Sequence, residues 1–326
     1  MTDTQIPEAV LEVAHARQRA RERRDWPEAD RLRTEIETAG WKVVDRGTEF
    51  DLSLTQPPDI VEAGRVRYGS SASVPSRLGE ASTGLASVVV LATDWPDDLA
   101  RALAGLSGSA PSGTQVIIVA NAPSASQGAV LEDPRGPDAL LIGGSSPETV
   151  WTSDRVGQAA ALNAGIRRAR APVVILLDTS IEPAGDFVTP LTEAFADASV
   201  AVAGGWGKVS ADLRHFENAP SGDVDTVDGR CQAFRRADYI ARGPLDEHFR
   251  FHQNLDIWWS LVLRDEGEGS HPRRAVSLGA LPLTRHERHG NQSLPPRERE
   301  RLARRNFYRI IDRFGWRLDL LTGSKP

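Results

Sequence analysis

Short runs of aliphatic residues alternate with helical patterns from about residue 87 onwards. These runs predict buried strands at Ser87–Ala92, Gln115–Ala120, Pro172–Leu177 and Val200–Ala203. Apolar residues spaced three or four apart predict intervening helices at Asp97–Leu106, Val156–Ala169 and Phe187–Phe195. The alternation indicates an α/β fold in which a mostly parallel sheet carries helices on both faces.

The residues before this region follow other patterns. Residues 7–52 predict a small helical hairpin followed by a short strand, with Pro7 in the first turn of one helix and Asp25 capping the next. Residues 53–86 are rich in Ser, Pro and Gly and contain few core-forming residues, which predicts a flexible linker. The α/β domain then occupies residues 87–326 and ends in a helix.

Composition and charge exclude several classes of protein. The 326 residues include 39 Lys and Arg against 45 Asp and Glu, a net charge of −6, which argues against a globally basic nucleic-acid binder. The single cysteine, Cys231, cannot form a disulfide framework or a cysteine-based zinc cluster, and it fits a reducing compartment. Neither a membrane-spanning apolar run nor a secretion signal is recognisable in the sequence. We therefore expect a cytoplasmic protein without a transmembrane segment.

Polar side chains follow three of the predicted strands. They are Thr93 and Asp94 after the first strand, Asn121 after the second, and Asp178 with Ser180 after the third. Ligands of parallel sheets bind beyond the carboxyl ends of the strands, so these residues are candidates for one binding site. Each of them alone is also explained as a cap of the helix or turn that follows.

The strand-end residues belong to an ordered series of short motifs across residues 87–290. The series consists of Thr93–Leu99, Val119–Ser124, Arg155–Ile166, Leu176–Pro183, Asp228–Arg236, Leu245–Phe249, Gln253–Ile257 and a late histidine, His286. In this order the motifs resemble family 2 glycosyltransferases of the nucleotide-diphospho-sugar type. The resemblance implies a GT-A-like fold and the inverting transfer of a sugar from a nucleotide-sugar donor to an acceptor hydroxyl. The acceptor would be an unidentified glycan or lipid-linked molecule.

The resemblance also assigns roles to individual residues. The donor would be bound by Thr93, Asp94, Asn121, Arg155, Asn163 and Asp178. A divalent cation, Mn²⁺ or Mg²⁺, would neutralise the departing diphosphate, because such ions prefer oxygen ligands and act as Lewis acids. Its candidate ligands are Asp178, Ser180 and His286, with Glu182 as a weaker one.

The sequence departs from the family pattern in three places. Ala120 replaces a base-contacting Asp, Ser180 replaces the second carboxylate of the metal motif, and Gln253-Asn254 replace Glu-Asp. An amide cannot accept a proton at neutral pH, so either Asp256 is the catalytic base or Asn254 now only orients the acceptor. Because Asp256 lies near the start of a predicted helix, a capping role is the alternative. The lost carboxylates also favour a second hypothesis, a catalytically inactive nucleotide- or glycan-binding protein of this fold.

The N-terminal hairpin has a resemblance of its own. Residues 8–52 resemble the C-terminal tail of cysteinyl-tRNA synthetases through short elements such as Arg24-Asp25-Trp26, Gly40-Trp41 and Gly47-Thr48. The nucleotide-binding and zinc motifs of a synthetase are missing from the sequence, so the resemblance implies at most an RNA- or partner-docking hairpin. Balanced acidic and basic residues favour a solvated hairpin instead, and nucleic acid is not the expected partner.

The C-terminal helix is rich in arginine. Ala303, Phe307, Ile310 and Phe314 share one face, and arginines including Arg301, Arg304, Arg305, Arg309 and Arg313 occupy the exposed side. This side suits an anionic partner such as a diphosphate, a nucleic acid or a lipid head group at a membrane surface. A solvated helix diluted by acidic residues is the simpler interpretation.

Overall fold

The computed structural model describes residues 6–46, 49–62, 64–133, 136–290 and 294–323. The chain divides into two compact units, Met1–Ile60 and Val61–Pro326. Gly47 and Thr48, which contribute to the N-terminal resemblance, lie outside the described residues.

The smaller unit is a helical hairpin followed by a strand hairpin. It contains α1 (Glu8–Glu22), α2 (Trp26–Thr38), β1 (Trp41–Arg46) and β2 (Glu49–Leu54), with β1 and β2 antiparallel. The Asp25 carboxylate accepts a hydrogen bond from the backbone N–H of Glu28 at 3.3 Å, so it caps α2 as the sequence predicts. Val10, Ile36 and Trp41 form part of its core. The predicted helical hairpin is confirmed.

The remaining elements alternate along the chain. The strands are β3 (Ile60–Glu62), β4 (Arg65–Tyr68), β5 (Ala86–Ala92), β6 (Thr114–Asn121), β7 (Glu148–Thr152), β8 (Val173–Leu177), β9 (Ile181–Pro183), β10 (Val200–Gly204), β11 (Gly207–Ser210), β12 (Phe216–Ala219), β13 (Gly222–Val224), β14 (Thr226–Val227), β15 (Cys231–Arg235), β16 (Arg274–Ser277) and β17 (Leu283–Arg285). The helices are α3 (Pro96–Ser109), α4 (Ala125–Glu132), α5 (Gln158–Ile166), α6 (Val188–Glu193), α7 (Arg236–Arg242), α8 (Leu255–Arg264) and α9 (Pro296–Phe314).

A ten-stranded sheet organises the larger unit. Its strand order is β13-β16-β10-β15-β8-β5-β6-β7-β4-β3. The pairs β8–β5, β5–β6, β6–β7 and β7–β4 are parallel, whereas β15 pairs antiparallel with both β8 and β10. Because β6 and β8 flank β5, the strand order reverses there, and ligands of open α/β sheets bind at such a switch point. The predicted mostly parallel sheet is confirmed.

Helices cover both faces of this sheet because successive side chains of a buried strand point in opposite directions. On β5, Val89 joins a core cluster with α5 and α8, whereas Val88 and Val90 join a second cluster with α3 and α6. The fit of α5 is close: a Cβ atom at Gly165 would lie 2.5 Å from Cγ1 of Val89. This arrangement matches the predicted layers.

Part of the segment predicted as a flexible linker belongs to the sheet. Strand β4 pairs with β7, and the guanidinium of Arg65 lies 4.3 Å from the ring centroid of Trp151. Val74 is fully buried. Arg167 donates hydrogen bonds to the carbonyl oxygens of Ala72 and Val74 at 3.2 and 2.8 Å. The linker prediction fails here because arginines and backbone carbonyls, rather than an apolar run, fix the segment.

The C-terminal helix, α9, ends at Phe314. Ile310 and Phe314 are buried, whereas Arg301 and Arg304 are exposed, as the pattern predicts. Within the described part of the chain, no helix has both the length and the apolar composition that crossing a bilayer requires.

Candidate functional site

A cleft of about 490 Å³ lies at the carboxyl ends of β5, β6 and β8. The loop after β7, the segment after β17 and the first turns of α9 supply its other walls. Its position is the one that the switch point of an open α/β sheet predicts for a ligand.

Most of the predicted donor-binding and metal-ligating residues line this cleft. They are Thr93, Asp94, Asn121, Arg155, Asp178 and Ser180. The parallel sheet brings Thr93, Asn121 and Asp178 together. Strands β5, β6 and β8 end at these residues or directly before them, and all three strands end at the same edge of the sheet. The strand-end residues therefore lie together in one cleft, and their binding of a donor stays a prediction.

Asn121 joins two walls of the cleft. Its side-chain oxygen accepts hydrogen bonds from the backbone N–H of Val156 at 3.1 Å and from the Thr152 hydroxyl at 3.3 Å. Within the described residues, its amide nitrogen makes no hydrogen bond. The neighbouring Ala120, where the family pattern has an Asp, is fully buried in the core. Asn121 thus keeps one donor group for a ligand after fixing the loop that follows β7.

Arg155 and Asp94 form an ion pair across the cleft wall. Asp94 follows β5 and Arg155 lies in the loop after β7, so the pair links two strand ends. The Arg155 side chain is half exposed, which leaves part of its guanidinium accessible from the cleft.

Asp178 is fully engaged by its surroundings. Arg288 donates to Oδ2 from Nε at 2.9 Å and from Nη2 at 2.5 Å. Ser180 donates to Oδ1 from its backbone N–H at 3.0 Å and from its hydroxyl at 2.5 Å. Burial opposes ionisation of this carboxyl, but Arg288 and the Ser180 hydrogen bonds outweigh it and hold the pKa of Asp178 below its ordinary value. Asp178 is therefore a carboxylate at neutral pH.

The predicted metal ligands do not converge. His286 does not line the cleft, and its Nε2 lies 2.7 Å from Oε2 of Glu182. The Ser180 hydroxyl is directed to Asp178, whose oxygens both have donors already. No three His, Cys, Asp or Glu side chains are grouped suitably for a metal ion anywhere in the described ranges. Asp178, Ser180 and His286 thus do not fit a divalent cation in this structure.

Asp256 lies behind the cleft rather than in its wall. Its Oδ2 accepts from the backbone N–H of Gly229, a lining residue, at 3.2 Å and pairs with Lys208 Nζ at 3.2 Å. Burial raises the pKa of Asp256, yet Lys208 and the Gly229 amide lower it more, so the net shift is downward. Asp256 is an ionised group beneath the cleft floor. Asp256 does not cap α8 as the alternative supposed, because Asn254 is the N-cap residue and Asp256 lies within the first turn.

Two other predicted site residues have structural contacts outside the cleft. Asn254 has a left-handed backbone with a φ of 69°, and its amide lies 3.4 Å from the carbonyl oxygen of Ala303 in α9. Asn163 is buried, donates to the Leu245 carbonyl at 2.9 Å, and accepts from the Tyr239 hydroxyl at 3.0 Å. Neither residue lines the cleft. The prediction that they bind donor or acceptor has no geometric support.

Four basic residues of the cleft were not among the predicted donor-binding or metal-ligating residues, although Arg305 was expected on an anion-binding side of the C-terminal helix. These are Arg250, Arg288, His289 and Arg305. His289 contacts the Trp95 ring at 5.0 Å between centroids, and its hydrogen bond to Asp98 raises its pKa. The sequence signal for Arg288 was the basic segment around His286. That segment was interpreted as a histidine motif, although Arg288 is its residue that contacts Asp178.

The fold is that of the GT-A-like class of glycosyltransferases, and the cleft lies at the switch point of its sheet. The sequence model of Glycosyl transferase family 2 matches residues 87–252, just over half of the chain. The chain belongs to this family.

Two solved glycosyltransferase structures share the architecture. One is GalNAc-T7 with UDP, GalNAc and Mn²⁺, with a TM-score of 0.56 and 13% identity over 71% of this chain and 48% of that protein. The other is the mannosyltransferase PcManGT from Pyrobaculum calidifontis with GDP-Man and Mn²⁺, with a TM-score of 0.53 and 16% identity over 76% of this chain and 71% of that one. At such identities the likeness establishes the fold alone.

The smaller unit matches a different family. The Cysteinyl-tRNA ligase anticodon binding domain covers residues 3–50. A cysteine–tRNA ligase of Rubrobacter xylanophilus is 54% identical over 41 residues, which are 13% of this chain and 9% of the ligase. The predicted N-terminal resemblance is confirmed, and the match spans less than a tenth of the ligase.

Proposed function

We propose that the protein transfers a sugar, with inversion, from a nucleoside-diphosphate sugar bound in the strand-end cleft to an acceptor hydroxyl. The observation that carries this proposal is the cleft itself, where Thr93, Asn121, Arg155 and Asp178 gather at the switch point of a family 2 fold. UDP and GDP-Man in the two neighbouring complexes indicate the donor class.

On the donor side, each gathered residue has a suitable chemical group. The amide nitrogen of Asn121 and the backbone near Thr93 are suited to the nucleotide base. Asp178, a carboxylate at neutral pH that already accepts two hydrogen bonds on each oxygen, is suited to holding Arg288 in place at the cleft. Arg155 and Arg288 offer planar, charged donors that match phosphate oxygens.

Inversion requires a single displacement at the anomeric carbon. The acceptor oxygen attacks that carbon, the bond to the diphosphate breaks, and a carboxylate takes the acceptor proton. We assign the base role to Asp256, because it is ionised and contacts Gly229 at the cleft floor. The Mn²⁺ of the two neighbouring complexes suggests a divalent cation for the class. Because the expected ligands do not converge among the described residues, the proposed reaction includes no cation.

The acceptor side faces α9. Arg305 lines the cleft, and Arg297 and Arg304 continue the surface outwards. Among the described residues, none of these three has a carboxylate partner. A glycan or lipid-linked acceptor that carries phosphate would be complementary to this surface.

A panel of UDP- and GDP-sugars, assayed for nucleoside diphosphate release and for the anomeric configuration of the product by NMR, tests the function. Asp256→Asn should lower turnover at least about a hundredfold and leave donor affinity unchanged. Asp238→Asn is the matched control, since Asp238 is paired and similarly buried but remote from the cleft. Retained configuration, or an Asp256→Asn enzyme as fast as wild type, would contradict the mechanism.

A non-catalytic binding protein is the second candidate. The observation in its favour is that the carboxylates lining the described cleft are all ion-paired, so none is a free base. Such a protein would bind a nucleotide sugar without releasing the diphosphate, and the same panel separates the two functions.

RNA binding by the smaller unit is a separate hypothesis that follows from its match to an anticodon-binding domain. Its arginines argue against it, since Arg17 and Arg21 pair with Asp45, and Arg31 and Arg33 pair with glutamates of α2. Salt-sensitive binding of tRNA that is lost on deletion of residues 1–50 would support it.

A further inference from the structure

The charges of the cleft are distributed unusually for a site that binds a divalent cation. Its carboxylates each have a basic partner in the described structure: Asp94 with Arg155, Asp98 with Arg101 and His289, Asp178 with Arg288, and Glu298 with Arg301. A cation such as Mn²⁺ needs several oxygen ligands that are free to approach it closely. To bind even one carboxylate of this cleft, the cation must break an existing ion pair.

Asp178 is the carboxylate for which a cation and a basic side chain would compete. Arg288 makes two hydrogen bonds to one carboxylate oxygen, and Ser180 makes two to the other. A divalent cation at this carboxylate would have to displace the Arg288 guanidinium and then remain close to its positive charge. Ser180 offers no second carboxylate to offset that repulsion.

The cleft also contains basic groups that remain available to a negatively charged ligand. Arg250 and Arg305 line it without a carboxylate partner among the residues the structure describes. Nη1 of Arg288 makes no hydrogen bond within the same residues, because Asp178 engages only Nε and Nη2. A guanidinium fixed by a carboxylate is a preorganised donor for phosphate oxygens.

We propose that Arg288, held by Asp178 and assisted by Arg250 and Arg305, binds the donor diphosphate without a divalent cation. The proposal rests on the proposed function for the identity of the ligand, and it differs from what the Mn²⁺ of the two neighbouring complexes suggests. Arg288 takes the place of the cation as the positive charge next to Asp178, and Ser180 fixes the carboxylate to which it is anchored.

Calorimetric titration of UDP and GDP into the full chain, in EDTA and in excess MnCl₂, tests the proposal on the wild-type protein. Affinity should agree within about twofold between the two buffers, because a cation without a site cannot shift the binding equilibrium. Arg288→Ala should weaken binding about tenfold or more in both buffers. Arg288→Lys keeps the positive charge but loses the paired N–H donors of the guanidinium, so it should weaken binding less than Arg288→Ala does.

Arg273→Ala is the matched control. Arg273 is 17% exposed and paired with Asp238, whereas Arg288 is 19% exposed and paired with Asp178, but Arg273 does not line the cleft. Its variant should bind the diphosphates as wild type does. Thermal melts of each variant separate a folding defect from a binding defect, and the EDTA comparison needs no variant.

The outcomes distinguish this proposal from the proposed function. Diphosphate binding that occurs only with Mn²⁺, or that survives Arg288→Ala unchanged, overturns the arginine proposal and leaves the transferase function standing. Failure of UDP, GDP and the nucleotide sugars to bind in either buffer overturns both.

Discussion

The Lys208–Asp256 ion pair allows the electrostatics beneath the cleft to be tested. Nζ of Lys208 lies 3.2 Å from Oδ2 of Asp256, and the two side chains are 24% and 13% exposed. The substitution Lys208→Met keeps most of the aliphatic stem and removes only the charged group. It therefore leaves Asp256 in the same surroundings without its cation.

The size of the effect follows from the distance and the burial. Two unit charges 3.2 Å apart attract each other by about 5 kcal/mol at an effective dielectric constant of about 20. Desolvation offsets part of this, and breaking a fully buried pair by removing one partner costs about 3–5 kcal/mol. Because this pair keeps some contact with solvent, we expect the free energy of unfolding to fall by about 2–3 kcal/mol at neutral pH.

The pH dependence has a definite sign. Burial raises the pKa of Asp256, but Lys208 and the Gly229 amide lower it overall, so its stabilising effect is present above the ordinary carboxyl pKa and is lost as the pH falls through the lowered value. In Lys208→Met, burial acts with less opposition and the pKa of Asp256 rises. The stability difference between variant and wild type should therefore shrink on acidification. If Asp256 is the base, the acidic limb of the pH–rate profile should also move to higher pH.

Urea unfolding at neutral pH and below about pH 4 measures the stability difference. Lys42→Met, at an exposed lysine of the smaller unit, is the control and should change the unfolding free energy by less than about 0.5 kcal/mol. A Lys208→Met protein as stable as wild type at neutral pH would refute the reasoning about the pair. A shift in stability without any shift in the pH–rate profile would refute only the assignment of Asp256 as the base.

Three further changes test other parts of the structure. Asn163→Ala should destabilise the fold by about 2–3 kcal/mol, because the amide and carbonyl of Leu245 lose buried partners; calorimetric titration should show unchanged diphosphate affinity. Gly165→Ala should cost about 1–3 kcal/mol in thermal unfolding, because its Cβ would meet Val89. Arg304→Glu, on the exposed side of α9, should raise KM for a phosphate-bearing acceptor several-fold while KM for the donor stays constant.

The central strands could be predicted from sequence because burial on both faces requires continuous apolar runs. Strands β5, β6 and β8 agree with the predicted ranges to within a residue at each end. Strand β4 was missed because Arg65 and Arg67 are charged residues and interrupt any apolar run. In the structure both guanidinium groups lie over the ring of Trp151. Such a strand depends on a contact with a distant residue, which no local pattern contains.

The same distinction applies to the cleft. Thr93, Asn121 and Asp178 could be predicted because strand ends of a parallel sheet share an edge. Arg288 could not, since it lies 110 residues beyond Asp178. Its approach depends on the antiparallel pairing of β17 with β9, which also aligns His286 with Glu182 rather than with a metal site.

The departures from the family pattern have a common electrostatic direction. Ser180 and Asn254 are each neutral where the pattern has a carboxylate, and Ser180 reduces the negative charge of the cleft itself. A second carboxylate at position 180 would compete with Asp178 for Arg288 and would also supply the ligand that a cation lacks. With Ser180 in place, the hydroxyl instead donates to Asp178 and strengthens the anchor of the arginine. One neutral residue, Ser180, therefore accounts both for a missing carboxylate ligand and for a further hydrogen bond to the carboxylate that holds Arg288.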